Sequence, residues 1–206
     1  MVLKNSTSAK GAGKMDFIKT VMLEKKIGAT IRRVEDLNEA IHHPKIGTIF
    51  LLGADINILP SIIKKVHADQ KVLLVHLDML EGAGKDKAGI HLLARMGLHG
   101  LVTTKPNLVK YASEEGMAVI QRLFVLDSES VKTGIKMASA VKPNAVEILP
   151  ATVPRFVIQD MKDSLGIPVL GGGLLRTEED VRLALSKGID AVSTSLRHLW
   201  DMNFEK

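Results

Sequence analysis

Cysteine is absent from the 206 residues. That excludes disulfides and thiolate-ligated zinc or iron–sulfur sites. It also suits a reducing compartment, so a cytoplasmic location is expected. Aromatic residues are nearly missing, at 3%, so Leu, Ile, Val, Ala and Met must fill the core. No apolar run approaches the roughly 18 residues of a membrane span, and no membrane association is expected. The lysine-bearing N-terminus has no apolar stretch of the kind a secretory signal needs. Neither H-E-x-x-H nor G-x-S-x-G occurs. Gly82-Ala83-Gly84-Lys85 lacks the first glycine and the final hydroxyl of a P-loop, and Gly11-Ala12-Gly13-Lys14 follows no strand-like run. The adjacent His42-His43 pair cannot easily converge on one metal. No metal site, no cofactor and no catalytic constellation are therefore expected.

Positive charge is present but unevenly spread. The chain carries a formal +5. Residues 1–33 alone hold eight Lys/Arg against Asp16 and Glu24, a net +6, and the rest of the chain nets −1. Residues 1–14 are polar, rich in Gly, Ser, Ala and Lys, and aperiodic, which reads as a disordered extension ahead of a single domain over 15–206. The basic balance by itself is thus no argument for a nucleic-acid partner.

What the chain does have is repetition. Apolar runs with β-branched residues recur at 27–33, 46–53, 71–80, 100–105, 117–126, 145–151, 168–175 and 191–195. Helical periodicity lies between them: Ile58/Leu59, Ile62/Ile63 and Val66; Val131, Ile135 and Ala138; Ile158, Met161 and Leu165; Val181, Ala184 and Leu185. Pro60 falls in a first turn, where proline is tolerated. Thr177 precedes Glu178-Glu179-Asp180 as an N-cap, and Gly97, Gly116, Gly166 and Gly188 sit where helices should stop. Eight alternating strand–helix units demand parallel pairing. The expected fold is α/β, a compact (β/α)8 TIM-type barrel; an open doubly wound sheet is the alternative.

Two of the strand ends are bare and hydroxylated. Gly171-Gly172-Gly173 ends the seventh run, and Ser193-Thr194-Ser195 ends the eighth. Glycine lets backbone N–H groups approach an anion, the hydroxyls add donors, and a following helix N-terminus adds its positive end. In barrels a phosphate site recurs after these two strands. Other strand ends carry polar groups where core is expected. His76 and Asp78 share a face if the third strand continues. Arg122 is open to either the lumen or a helix. Buried charge must find a partner, so Asp78, Lys105, Gln121 and Glu147 either converge on a polyol phosphate or form structural salt bridges. An enzyme acting on a sugar phosphate, an aldolase or isomerase, is an alternative function, with Lys105 as Schiff-base former and Glu147 or Asp78 as base.

The strand ends also resemble one family. His76-Leu77-Asp78-Met79-Leu80-Glu81-Gly82 with Asp86-Lys87-Ala88-Gly89, and Gly100 to Lys105, are similar to segments of the bacterial glycerol-3-phosphate-responsive antiterminators, the glycerol uptake operon regulators. So are Ile120 to Ser128, Glu147-Ile148-Leu149-Pro150, Gly171 to Leu175, and Val192 to Ser195 with Leu199-Trp200. Gly171 departs from the alanine usual there. The resemblance implies a barrel that is a regulator, not an enzyme, which binds glycerol 3-phosphate and then leader mRNA, preventing transcription termination. Carried over, Gly172, Gly173, Thr194 and Ser195 would hold the phosphate. Strand position suggests Asp78, Lys105, Gln121 and Glu147 for the glycerol end. No RNA motif is recognisable; Arg32, Arg33, Lys64 and Lys65 are the candidate RNA contacts. A homo-oligomer is compatible with the sequence.

Overall fold

The computed structural model describes residues 22–204. The expectations for residues 1–14 and for a boundary at residue 15 lie outside them. Eight strands form the main sheet: β1 (Ile27–Ile31), β2 (Thr48–Leu51), β3 (Val72–His76), β4 (Gly100–Thr103), β5 (Ala118–Phe124), β6 (Ala145–Leu149), β7 (Val169–Gly172) and β8 (Ala191–Thr194). All neighbours are parallel, and β1 pairs with both β2 and β8, so the sheet closes. Between the strands run α1 (Leu37–His42), α2 (Leu59–Ala68), α3 (Lys87–Arg95), α4 (Pro106–Glu114), α5 (Ser128–Val141), α6 (Arg155–Leu165) and α7 (Glu178–Ser186). The barrel is the expected one, and the open sheet is excluded.

Local chemistry places the elements where the sequence puts them. Thr177 caps α7 by accepting from the Asp180 amide, and the Asp180 carboxylate in turn accepts from the Thr177 amide. Gly97, Gly116, Gly166 and Gly188 all have positive φ, the conformation a helix stop requires and an L side chain resists. Pro60 sits in the first turn of α2. After β8 a 3-10 helix, Arg197–Asp201, stands in the place of an eighth helix. It is pinned by buried Trp200, whose indole N–H donates to the Thr194 carbonyl at 3.0 Å.

Strand alternation splits the core into two apolar layers. Ile27, Ala29, Ile31, Leu73, Val75, Val119, Leu123, Val146 and Ile148 face the helices. Phe50, Leu74, Val102, Ile120 and Leu170 fill the lumen with Met22. The register fixes the lumen levels. Thr30 pairs with Phe50, and Phe50 with Leu74, two residues below His76. His76 pairs with Val102, and Val102 with Ile120, two below Arg122. Arg122 pairs with Glu147, and Glu147 with Leu170, two below Gly172. Gly172 pairs with Ser193, and Ser193 with Gly28, two below Thr30. The odd strands therefore give a mouth layer of Thr30, His76, Arg122 and Gly172. By the same steps the even strands give Phe50, Val102, Glu147 and Ser193 beneath it, the layered filling of such barrels. The lower lumen is apolar apart from Thr48 and tightly filled: a Cβ on Gly28 would lie 2.5 Å from the Phe50 ring.

Candidate functional site

Polar groups collect at the carboxyl ends of the strands. A cleft of about 200 Å³ opens there, lined by Gly172, Gly173, Thr194 and Ser195, and also by Thr30, Arg32, Arg122 and Ser193. Gly172 supplies the space. A Cβ on it would stand 2.9 Å from Ser193 Oγ and 3.0 Å from Glu147 Oε1. Gly173 has φ +74°, and Leu174 after it has φ +58° although it is not glycine. Strained backbone of this kind concentrates at binding sites. Thr194 Oγ1 accepts from the Leu196 amide at 3.2 Å, which leaves its own O–H free to donate into the cleft.

Arg122 is the main charge at the site. Its Nε donates to Glu147 Oε2 at 2.8 Å, and Ser193 Oγ donates to Glu147 Oε1 at 2.5 Å. Glu147 is fully buried and Arg122 8% exposed. One carboxylate thus fixes the guanidinium through Nε alone. The terminal nitrogens have no hydrogen-bond partner among the described residues, and the side chain lines the cleft. A guanidinium in that state suits bidentate binding of an oxyanion. Burial holds the nearby His76 imidazole below its ordinary pKa, and the Arg122 charge adds to this, so the ring is neutral at neutral pH.

The four groups expected to converge on a polyol do not. Glu147 lies one layer down, engaged by Arg122 and Ser193, and does not line the cleft. Gln121 faces the helices: its strand neighbour Leu123 packs under Gly134 of α5, and alternation puts Gln121 on that side and Arg122 in the lumen. Asp78 does not share a strand face with His76, because β3 ends at His76 and a 3-10 turn, Leu77–Met79, follows. Its carboxylate instead accepts from Thr103 Oγ1 at 2.6 Å, the Thr104 amide at 2.8 Å and Thr104 Oγ1 at 2.7 Å. Burial pushes the Asp78 pKa up, but those three bonds outweigh it and hold the acid below its ordinary value. Lys105 is exposed at the N-cap of α4 and lines no part of the cleft, so it lacks the desolvated setting that activates a Schiff-base lysine.

The RNA candidates divide as well. Arg32 belongs to the cleft wall. Arg33 pairs with Asp36, which also binds Arg197 at 2.8 Å. Lys64 and Lys65 are exposed on α2. The Asp86 to Gly89 segment serves the fold. Asp86 caps α3 by accepting from the Gly89 amide at 2.8 Å. A Cβ on Gly89 would lie 1.9 Å from the Gly84 carbonyl oxygen.

Comparison with known proteins matches this arrangement to a family. A model of the glycerol-3-phosphate responsive antiterminators matches residues 27–200, from the first barrel strand to Trp200. The chain belongs to that family. The crystal structure of a glycerol uptake operon antiterminator regulatory protein from Listeria monocytogenes superposes with a TM-score of 0.80 at 27% identity, covering 98% of this chain and 100% of that one. A glycerol uptake operon antiterminator-related protein from Thermotoga maritima gives 0.76 at 31% identity, over 85% and 98%. The uncharacterized protein YgcP of Escherichia coli (strain K12) is 33% identical over 155 residues, 75% of this chain and 81% of YgcP. Membership makes this antiterminator-family chain a relative of regulators. Barrel aldolases superpose too, at 12–14% identity, which shows the shared fold alone. No described helix is long and apolar enough to cross a membrane.

Sequence reasoning missed Thr30 and assigned Arg122 to neither face. Thr30 was legible in part: in Ile27-Gly28-Ala29-Thr30-Ile31 the two large apolar residues and Ala29 mark one face, leaving Gly28 and Thr30 for the lumen.

Proposed function

We propose that the cleft binds glycerol 3-phosphate and that its occupancy sets the affinity of the protein for leader mRNA of glycerol-uptake genes. The observation that carries this reading is the pairing of Arg122, with its terminal nitrogens unpartnered, with the bare Gly172–Gly173 strand end and the Thr194 and Ser195 hydroxyls. Together these offer a dianion charge, O–H donors and close backbone approach. Membership of a family described as glycerol-3-phosphate responsive antiterminators supports this choice of ligand and of regulatory role. The rim segments carrying Arg32, Leu174 and Leu196 all border the cleft. A ligand that prefers one arrangement of these segments shifts their population, and an RNA that prefers the same arrangement is bound more tightly in its presence. Gel-shift titration of the leader RNA with and without glycerol 3-phosphate tests this. Tighter RNA binding with the ligand is expected; equal binding in both conditions would remove the switch.

A further inference from the structure

The mouth layer contains more than an anion site. Its four positions are Thr30, His76, Arg122 and Gly172, from β1, β3, β5 and β7. Gly172 leaves one quadrant open, and Thr30 and Arg122 both line the cleft that occupies it. Thr30 is only 9% exposed, and its hydroxyl has no hydrogen-bond partner among the described residues. An orphaned buried hydroxyl costs stability, and unlike the other orphaned groups on Thr48 and Gln121, the Thr30 hydroxyl belongs to a residue bordering a cleft where a ligand could satisfy it. His76 Nδ1, opposite Gly172 in the layer, is also buried without a partner among the described residues, but it does not line the cleft.

We propose that Thr30 is the residue that reads the alcohol end of the ligand, while Arg122 and the β7–β8 ends hold the phosphate. This rests on the proposed ligand class and adds to it. It moves selectivity for a polyol phosphate from Asp78, Lys105 and Gln121, which lie elsewhere, to the first strand. A threonine hydroxyl both donates and accepts, so it can satisfy an alcohol in either sense. A phosphate ester without alcohols leaves that hydroxyl unpaired and is penalised accordingly.

The test uses two ligands and two variants, with affinities by isothermal titration calorimetry. Wild type should bind glycerol 3-phosphate about tenfold more tightly than propyl phosphate, the loss that follows from one unmet hydrogen bond. Thr30→Val should remove that preference, weakening glycerol 3-phosphate about tenfold and leaving propyl phosphate unchanged. Thr30→Ser, which keeps the hydroxyl, should restore it. The thermal midpoint of unliganded Thr30→Val should stay or rise, because an unsatisfied group has been removed; a purely structural threonine would show a fall and equal losses for both esters. Retained preference in Thr30→Val overturns the assignment of Thr30 while leaving the phosphate site standing. Binding of neither ester by wild type overturns both the assignment and the proposed ligand.

Discussion

At the scale of single residues, the site depends on how one charge is held. Arg122 and Glu147 form a buried pair in which each needs the other. Glu147→Ala leaves a guanidinium with its Nε unpaired and should cost about 3 kcal/mol of unfolding free energy in a denaturant titration. Replacing both together, as Arg122→Met with Glu147→Leu, should recover most of that while abolishing anion binding, because a buried pair is often no better than apolar groups of similar size. His76 gives a pH signature. Its folded pKa lies below the ordinary 6.5, so below 6.5 the unfolded chain takes up a proton that the folded protein resists. The unfolded state then binds more protons, and stability falls as pH is lowered from 6.5 toward the folded value. His76→Gln should flatten that part of a stability–pH curve relative to wild type; an unchanged slope would show that the ring is not what resists protonation.

At the scale of elements, what was legible depended on whether a pattern has a phase. The stops at Gly97, Gly116, Gly166 and Gly188 and the Thr177 cap are local chemistry, and each is realised where the residues stand. Strand β5 is different. One face carries Ala118, Ile120, Arg122 and Phe124, and the other Val119, Gln121 and Leu123. Each mixes apolar residues with a single polar one, so only the closed sheet decides that Arg122 enters the lumen and Gln121 does not. Asp78 was misplaced for another reason: the strand that alternation extended ends two residues earlier, in a turn whose backbone periodicity is no longer two. The α3 start makes a prediction at this scale. Asp86→Ala removes the cap on Gly89 and should cost about 1 kcal/mol. Gly89→Ala should cost more, since its methyl meets the Gly84 carbonyl. Chemical denaturation of both variants checks the order, and a reversed order would mean that the glycine loop yields easily.

At the scale of the whole molecule, barrel closure gathers what the sequence scatters. Thr30, Arg122 and Gly172 are separated by 50 to about 140 residues of chain, yet the stagger of the sheet puts them in one layer. Trp200 secures the C-terminal turn to the Thr194 carbonyl, so this anchor touches the strand end that borders the cleft. The glycines there separate fold from binding unequally. Gly173 has positive φ, so a side chain at that position strains the backbone as well as blocking the cleft. Gly172 lies in the regular strand β7, and an added methyl would first meet the Ser193 hydroxyl and the Glu147 carboxylate. The decisive measurement is therefore calorimetric titration of wild type and Gly172→Ala with glycerol 3-phosphate, with circular dichroism to confirm that the variant is folded. One ligand per chain in wild type, and affinity at least about tenfold weaker in the folded variant, is the expected result. Undiminished affinity in folded Gly172→Ala would place the ligand somewhere other than the mouth of this barrel.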